Sequence, residues 1–420
     1  MLFRNCRVIT PWDDHPRAWV RIHGEHIAAL GHFRPPDVQP HETVLDLDGL
    51  TLAPGFIDIH CHGAGGGTAA DESIDTMADF KGRHGCTAFL PTWQSLDPAW
   101  LNLVEDRRTS PRPGAPVLGA HVECIYVNPV CIGGLEPERA RDRFEAGELG
   151  EVFAQFPETI RLMAISPEIA GGIALIRALV GHDIVAAVGH SCVTWDRFQD
   201  ALAAGLTHAI HLFNATRYGY PPPERGLSRA RLDEMVMLAD ELTTEIICDG
   251  VHVHPIMMRL ALKAKGLAPI SLITDARWTA GLPPGVYTLE DGTKVRTRPN
   301  DVVRNASDDR IHGSNLTMNL AVRNAQHKLH VELAEAVQMA TINPARVVGA
   351  ASRMGSLEVG KEANLTIFDG GLDVQLTLVR GRPVYDPQGL CPVAGPHAAP
   401  VRAAGAERQG QRDEGRAERA

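Results

Sequence analysis

His60 and His62 stand two apart in GFIDIHCH, and ligand-type residues recur at the ends of later apolar runs. These are Glu123 in GAHVE, His190 in AAVGH, His211 in HAIHLFN, His252 in DGVHVH and Asp275 in LITDA. Side chains at i and i+2 on a strand share a face, so His60 and His62 can converge on one ion. Imidazoles are the commonest neutral ligands of divalent transition metals, and carboxylates balance the charge. One histidine at a strand end is more often a hydrogen-bonded structural residue, and a lone HxH pair is a weak signal. Recurrence at six strand ends points to a metal site. His84, His121, His182 and His208 do not end runs and read as structural or surface residues. Glu168, in SPE, reads as a supporting or solvated carboxylate.

The elements that must position these residues are legible from residue 56 to about 276. Eight short apolar runs, from GFIDIHCH through CTAFLPTW, PVLGAHVE, IRLMAISPE, DIVAAVGH, LTHAIHLFN and TEIICDGVHVH to ISLITDA, alternate with helical patterns. Near-continuous apolar runs suit parallel strands buried on both faces. In TWDRFQDALAAG, Thr194 can cap the start and Gly205 the end, and HPIMMRLALKAKG closes at Gly266. NLTMNLAVRNAQHKLH and ELAEAVQMATINPARVVG read as two further helices. Eight β/α units predict a (β/α)8 TIM barrel, whose strand C-termini open on one mouth. The competing open doubly wound sheet lacks a dinucleotide or phosphate-loop fingerprint.

Both flanks read as β-rich. LFRNCRVIT, WVRIHGEHIAAL and TVLDLDGLTLAP lie before the barrel, and GSLEVGKEANLTIFDG and DVQLTLVRGRPVYD after it. We expect a small β-sandwich domain from residues 1–53 and 356–390, a barrel over 54–355, and a disordered tail over 392–420.

Composition excludes several functions. The 420 residues carry a formal charge of −10, with 44% hydrophobic and 22% charged residues. That is an ordinary globular mixture without the basic footprint of a nucleic-acid binder. No apolar run is long enough for a membrane span, and the opening MLFRNCRVITPWDDHP does not read as a signal peptide. The eight cysteines form no CxxC pair, which suits reduced thiols and a cytoplasmic location.

The ordered motifs APGFIDIHCHGAGG, HVE, GHS at 189–191, THAIHLFNA, DGVHVHP, TDA at 274–276 and NPARVVG at 343–349 carry a resemblance covering roughly residues 1 to 386. The sequence resembles the N-acetylglucosamine-6-phosphate deacetylases of the amidohydrolase superfamily. The resemblance implies Glu123, His190 and His211 as the main metal ligands and His60 and His62 as the pair supporting a second metal. Asp275 becomes the catalytic acid/base, and Asn214, Ala215 and His252 become substrate contacts. It implies one or two divalent ions, Zn2+ by family habit, a small amino-sugar substrate and a homodimer. The reaction would remove an N-acetyl group from N-acetylglucosamine 6-phosphate or a related amino sugar, giving the free amine and acetate. The alternatives are an amidohydrolase for another amide, such as an N-acyl amino acid, and a non-catalytic metal-binding relative. IRLMAISPE has no lysine to serve as a carboxylated ligand, which weighs against a cyclic-imide enzyme.

Two departures touch substrate recognition. The family's Gly-x-His after the metal-ligand Glu reads NPVCIGGLEP here, with Gly134 kept and Leu135 in place of the histidine. Leucine has no hydrogen-bonding group to offer a carbonyl. The family's Arg-Glu-Pro-Gly loop reads PPPERGL, with Pro223 aligned to the phosphate-gripping arginine and Arg225 two positions on. Arg225 and Arg217 are the nearest replacements, and bidentate phosphate recognition is sensitive to position. The IHGS loop keeps Ser314 as a further substrate contact. The metal ligands and Asp275 are intact, so the expected enzyme is active on an amino sugar whose phosphate is left open.

Overall fold

The computed structural model of the protein describes residues 1–133, 137–216, 230–289, 292–298 and 301–391, and the backbone of 401–402. Eight parallel strands run in chain order: Phe56–Cys61, Cys86–Trp93, Ala120–Val122, Ile160–Ile165, Val185–Val188, His208–Ala209, Thr243–Ile247 and Ile270–Ile273. Each pairs with its neighbour in sequence. The eighth meets the first through backbone bonds just past the strand ends. Asp275 N–H donates to His60 O at 2.9 Å, and His62 and Gly63 N–H both donate to Ala276 O at 2.9 Å. The eight apolar runs are therefore the staves of a nearly closed barrel, as the alternation with helices predicts.

A buried ion pair sits at that closure. Asp58, in the first strand, takes Lys81 Nζ at 2.5 Å and Thr274 Oγ1 at 2.6 Å on its Oδ2. Lys81 projects from the helix Ile74–Arg83. It is buried and protonated: burial pushes its pKa down, but Asp58 pushes it well above the ordinary lysine range. Trp195–Ala203 starts after Thr194, whose side chain makes no capping bond, whereas Pro255–Lys265 starts after His254, whose side chain accepts from Ile256 N–H. The latter ends at Gly266, whose φ of +74° suits a residue without Cβ.

The two late helical patterns are each interrupted. Met318–Asn324 runs into a wider turn over Ala325–Leu329. The second divides into Leu333–Ala340 and Ile342–Val347. Thr341 leaves helical geometry at the break (φ −133°, ψ −83°). Its Oγ1 donates to Val337 O at 2.6 Å, while Pro344 has no N–H with which to continue the ladder.

The termini share a second sheet with its own core of Phe3, Val8, Val20, Leu52, Leu365, Ile367 and Leu378. Its path runs Arg382–Tyr385, Val374–Val379, Leu365–Phe368, Thr51–Pro54, Leu2–Ile9, Asp14–His23 and His26–His32. The two ends join where Thr51–Pro54 pairs antiparallel with Leu365–Phe368. Val44–Asp46 adds to Leu2–Ile9 and pairs with Val401–Arg402. The rest of the segment read as a disordered tail lies outside the described residues. A four-stranded antiparallel sheet, absent from the sequence reading, follows the eighth barrel strand. It spans Gly285–Thr288, Lys294–Thr297, Val303–Asn305 and Ile311–Gly313, and returns the chain to the mouth, where Ser314 bridges to Ala276. Among the described residues, no helix is long and apolar enough to cross a membrane.

Candidate metal centre and active site

At the mouth, Glu123 is the hub. Its Oε1 lies 3.2 Å from His190 Nε2, 3.0 Å from His211 Nε2 and 3.4 Å from His60 Nε2, while its Oε2 lies 3.2 Å from His62 Nε2. Two triads therefore share it, His60–His62–Glu123 and Glu123–His190–His211, each with its donor atoms within 4.8 Å of one another. All five residues are buried.

The proton positions explain why this cluster fits a cation. His190 Nδ1–H donates to Cys131 O at 2.9 Å, and His60 Nδ1–H to Glu245 Oε2 at 2.8 Å. Without an ion, Glu245 and Glu123 keep His60 protonated against its burial; loss of the Nε2 protons would leave each ring a lone pair to offer a cation beside Glu123. His190 Nε2 and His211 Nε2 are 3.1 Å apart, close to the ~3.3 Å separating two nitrogens that share one tetrahedral zinc. Among the described residues, Glu123 Oε2 and His60 Nε2 have no hydrogen-bond partner despite burial. Unsatisfied buried acceptors are costly unless something electropositive joins them.

Electrostatics agree. Burial pushes the Glu123 carboxyl up, but His60, His190 and His211 hold it well below the ordinary carboxylate range. Asp275 is likewise lowered against its burial, by His62 and His60, so it is ionised. Its Oδ1 lies 3.2 Å from His62 Nε2. His121 also touches the site, its ring 4.4 Å from that of His60, but burial and the His60 charge push its pKa down to about 3, keeping it neutral.

Several candidate site residues lie just past the strand ends, in the left-handed backbone region. His190, His211 and Asp275 all have positive φ (49°, 26° and 45°), as do Cys124, Phe213 and Ala215. Non-glycine residues rarely adopt that region, and such outliers gather at functional sites. The other expected contacts are placed as follows. His252 is held by Asp249, which accepts from its Nδ1 at 2.5 Å, and its Nε2 is the ring's other polar atom. Asn214 turns its amide back to His211 O and Leu212 O. A methyl group on Gly133 would lie 3.4 Å from Ala215 Cβ. Ser314 is buried beside Ala276, and its Oγ accepts from Leu316 N–H at 2.8 Å. Gly134, Leu135, Arg217, Pro223 and Arg225 lie outside the described residues.

Three features support the site: Glu168 agrees with its reading as a supporting carboxylate, while Glu245 and the Cys131–Cys192 pair escaped the sequence reading. Glu245, in the seventh strand, accepts from His60, from His211 N–H at 3.1 Å and from His208 Nε2 at 3.2 Å. A lone carboxylate inside the apolar run TTEII was its signal. Glu168 accepts from Ser191 Oγ at 2.7 Å, Cys192 N–H at 2.7 Å and Asn128 Nδ2 at 3.1 Å, so it ties the loop after the fifth strand to the loop after the third. Cys131 and Cys192 pair as a disulfide across the same two loops, which corrects the expectation of eight reduced thiols. Their separation of 61 residues hid the pair from spacing arguments.

The chain as a whole resembles known proteins. The amidohydrolase family model matches residues 51–384. N-acetylgalactosamine-6-phosphate deacetylase of Escherichia coli O157:H7 is 36% identical over 81% of this chain and 89% of its own. N-acetylglucosamine-6-phosphate deacetylase of Bacillus subtilis is 30% identical over 91% and 96%. Among solved structures, a point variant of the Mycobacterium smegmatis N-acetyl-D-glucosamine-6-phosphate deacetylase, in complex with N-acetyl-D-glucosamine-6-phosphate, is 31% identical. It superposes with a TM-score of 0.80, covering 91% of this chain and 99% of that one. A cation-demanding cluster at the mouth of such a barrel, on a chain alike over nearly its whole length, has one reading: the protein belongs to the amidohydrolase family, among the N-acetylglucosamine-6-phosphate deacetylases.

Proposed function

We propose that the protein is a metal-dependent deacetylase that hydrolyses the N-acetyl amide of an amino sugar to the free amine and acetate. The observation that carries this reading is the convergence of five buried imidazole and carboxylate ligands beside an ionised Asp275. In this reading Glu123, His190 and His211 hold one divalent ion, and His60 and His62 with Glu123 hold a second, both Zn2+. When bound, the metal supplies Lewis acidity toward the acyl oxygen and lowers the pKa of water toward about 7.

The chain's own groups do the rest. The Asp275 carboxylate takes a proton from the attacking water, holds it, and delivers it to the sugar nitrogen as the C–N bond breaks. His252, steadied by Asp249, orients sugar hydroxyls through Nε2. Asn214, Ala215 and Ser314 would complete the pocket, and the family resemblance adds Gly134 and Arg225 as substrate contacts. Leu135 brings no donor to the carbonyl, which favours two ions over one. Two metal equivalents per active subunit supports that arrangement, and full activity at one equivalent overturns it. The family resemblance adds a homodimer.

The deciding experiment measures acetate release from a panel of N-acetylated sugars, with and without a 6-phosphate, by the wild type and Asp275→Asn. Release that vanishes in the variant supports the assignment. Release only from N-acetyl amino acids would replace it with a different amidase.

A further inference from the structure

Arg277 follows Asp275 by two residues and lies at the barrel mouth. Its N–H donates to Ser314 O at 3.1 Å, and the preceding Ala276 bridges to Ser314, so the residue is fixed against the returning IHGS loop. Its side chain runs across Gly313. A methyl group there would lie 2.4 Å from Arg277 Cγ and 3.0 Å from Nε, and Gly313 has a φ of +146°, which L side chains rarely adopt. Glycine is therefore what leaves room for the arginine. Arg277 Nε is buried without a hydrogen-bond partner among the described residues. The guanidinium is near enough for its charge to act on His252, beyond the seventh strand, and on Cys124, next to Glu123. The Asp275 carboxylate acts on the same two groups, so the guanidinium stands at the mouth beside the candidate acid/base.

Guanidinium groups in such positions are matched by planar or tetrahedral oxyanions, which accept two N–H bonds at once. In the family the phosphate-gripping arginine comes from the loop after the sixth strand, where this chain has Pro223. We infer that Arg277, held over Gly313, is the residue that recognises a phosphate ester on the substrate, in place of the arginine lost at Pro223. This rests on the deacetylase reading for the sugar and the amide, and adds to it that the sugar is anionic. Specificity for the anion would then come from the strand that carries Asp275 rather than from the sixth-strand loop.

The test uses the metal-loaded full chain and two readouts. The first is acetate release from N-acetylglucosamine and from the 6-phosphates of N-acetylglucosamine and N-acetylgalactosamine, by wild type, Arg277→Ala, Arg277→Lys and Arg225→Ala. The second is calorimetric binding of glucosamine 6-phosphate against glucosamine. We expect Arg277→Ala to raise KM for a phosphorylated sugar about 10- to 150-fold, the range of one lost charged contact. Its turnover of the neutral sugar should be unchanged, with partial recovery in Arg277→Lys. Glucosamine 6-phosphate should lose its binding advantage over glucosamine in the same variant. Equal loss on neutral and phosphorylated sugars would overturn the inference, as would loss confined to Arg225→Ala or no phosphate preference in the wild type. A wild type that binds the sugar phosphate through Arg277 but releases no acetate would overturn the deacetylase reading and leave the anion site standing. Deacetylation indifferent to Arg277 would do the reverse.

Discussion

Glu245 Oε2 lies 2.8 Å from His60 Nδ1 and 3.1 Å from the backbone nitrogen of His211, so one buried carboxylate sets both a ligand ring and the backbone under another. His208 occupies its remaining oxygen at 3.2 Å, and His208 Nδ1 in turn meets Thr243 Oγ1 at 2.7 Å. Outer carboxylates of this kind fix the tautomer and direction of a metal-binding imidazole.

Glu245→Gln can keep the shape while losing the charge and one acceptor. We expect metal affinity to fall about 10- to 100-fold, read as metal retained per subunit after dialysis against a graded chelator series. Retention equal to wild type would show that His60 is oriented by packing alone.

Asp275→Asn should leave the metal content intact and reduce kcat by about 10²- to 10⁴-fold, the usual worth of one acid/base group. Metal analysis alongside steady-state kinetics separates this outcome from simple loss of the ion.

Metal removal should destabilise the fold, because among the described residues Glu123 Oε2 and His60 Nε2 are buried without hydrogen-bond partners. A ligand present at a hundred times its Kd contributes about 2.7 kcal/mol. The melting temperature in chelator should drop accordingly and return on adding Zn2+.

Lys81→Met strands the buried carboxylate of Asp58 where the barrel closes, and should cost about 3–5 kcal/mol by urea unfolding. Adding Asp58→Asn should recover part of it. Because Asp58 raises the Lys81 pKa in the folded protein, the pair contributes fully below the unfolded lysine value of ~10.4. That contribution is lost only as pH rises beyond it.

Thiol titration of the unfolded chain is expected to find six free cysteines before reduction and eight after it. Eight at the outset would show that Cys131 and Cys192 stay reduced.

The barrel and the cluster at its mouth were readable because parallel strands are apolar throughout, so a histidine or carboxylate at a strand end interrupts a clear pattern. Glu245 and Asp58 were equally visible as charges inside such runs, but their partners His60, Lys81 and Thr274 lie far away in sequence. Arg277 adjoins a readable motif, TDA, yet its place depends on Gly313, reached through an inserted sheet whose short polar strands carry no strong periodicity. The break at Thr341 hung on one side-chain bond and one proline.

Thr51–Pro54 finds its partner in Leu365–Phe368, more than three hundred residues later. A ribosome emitting the chain from its N-terminus must therefore produce the whole barrel before that edge can be covered. Until then the early strands offer unpaired backbone to any neighbouring chain. A nascent-chain series should show that edge protease-sensitive until residues 365–368 have left the exit tunnel, so the need for a chaperone lasts throughout synthesis of the barrel.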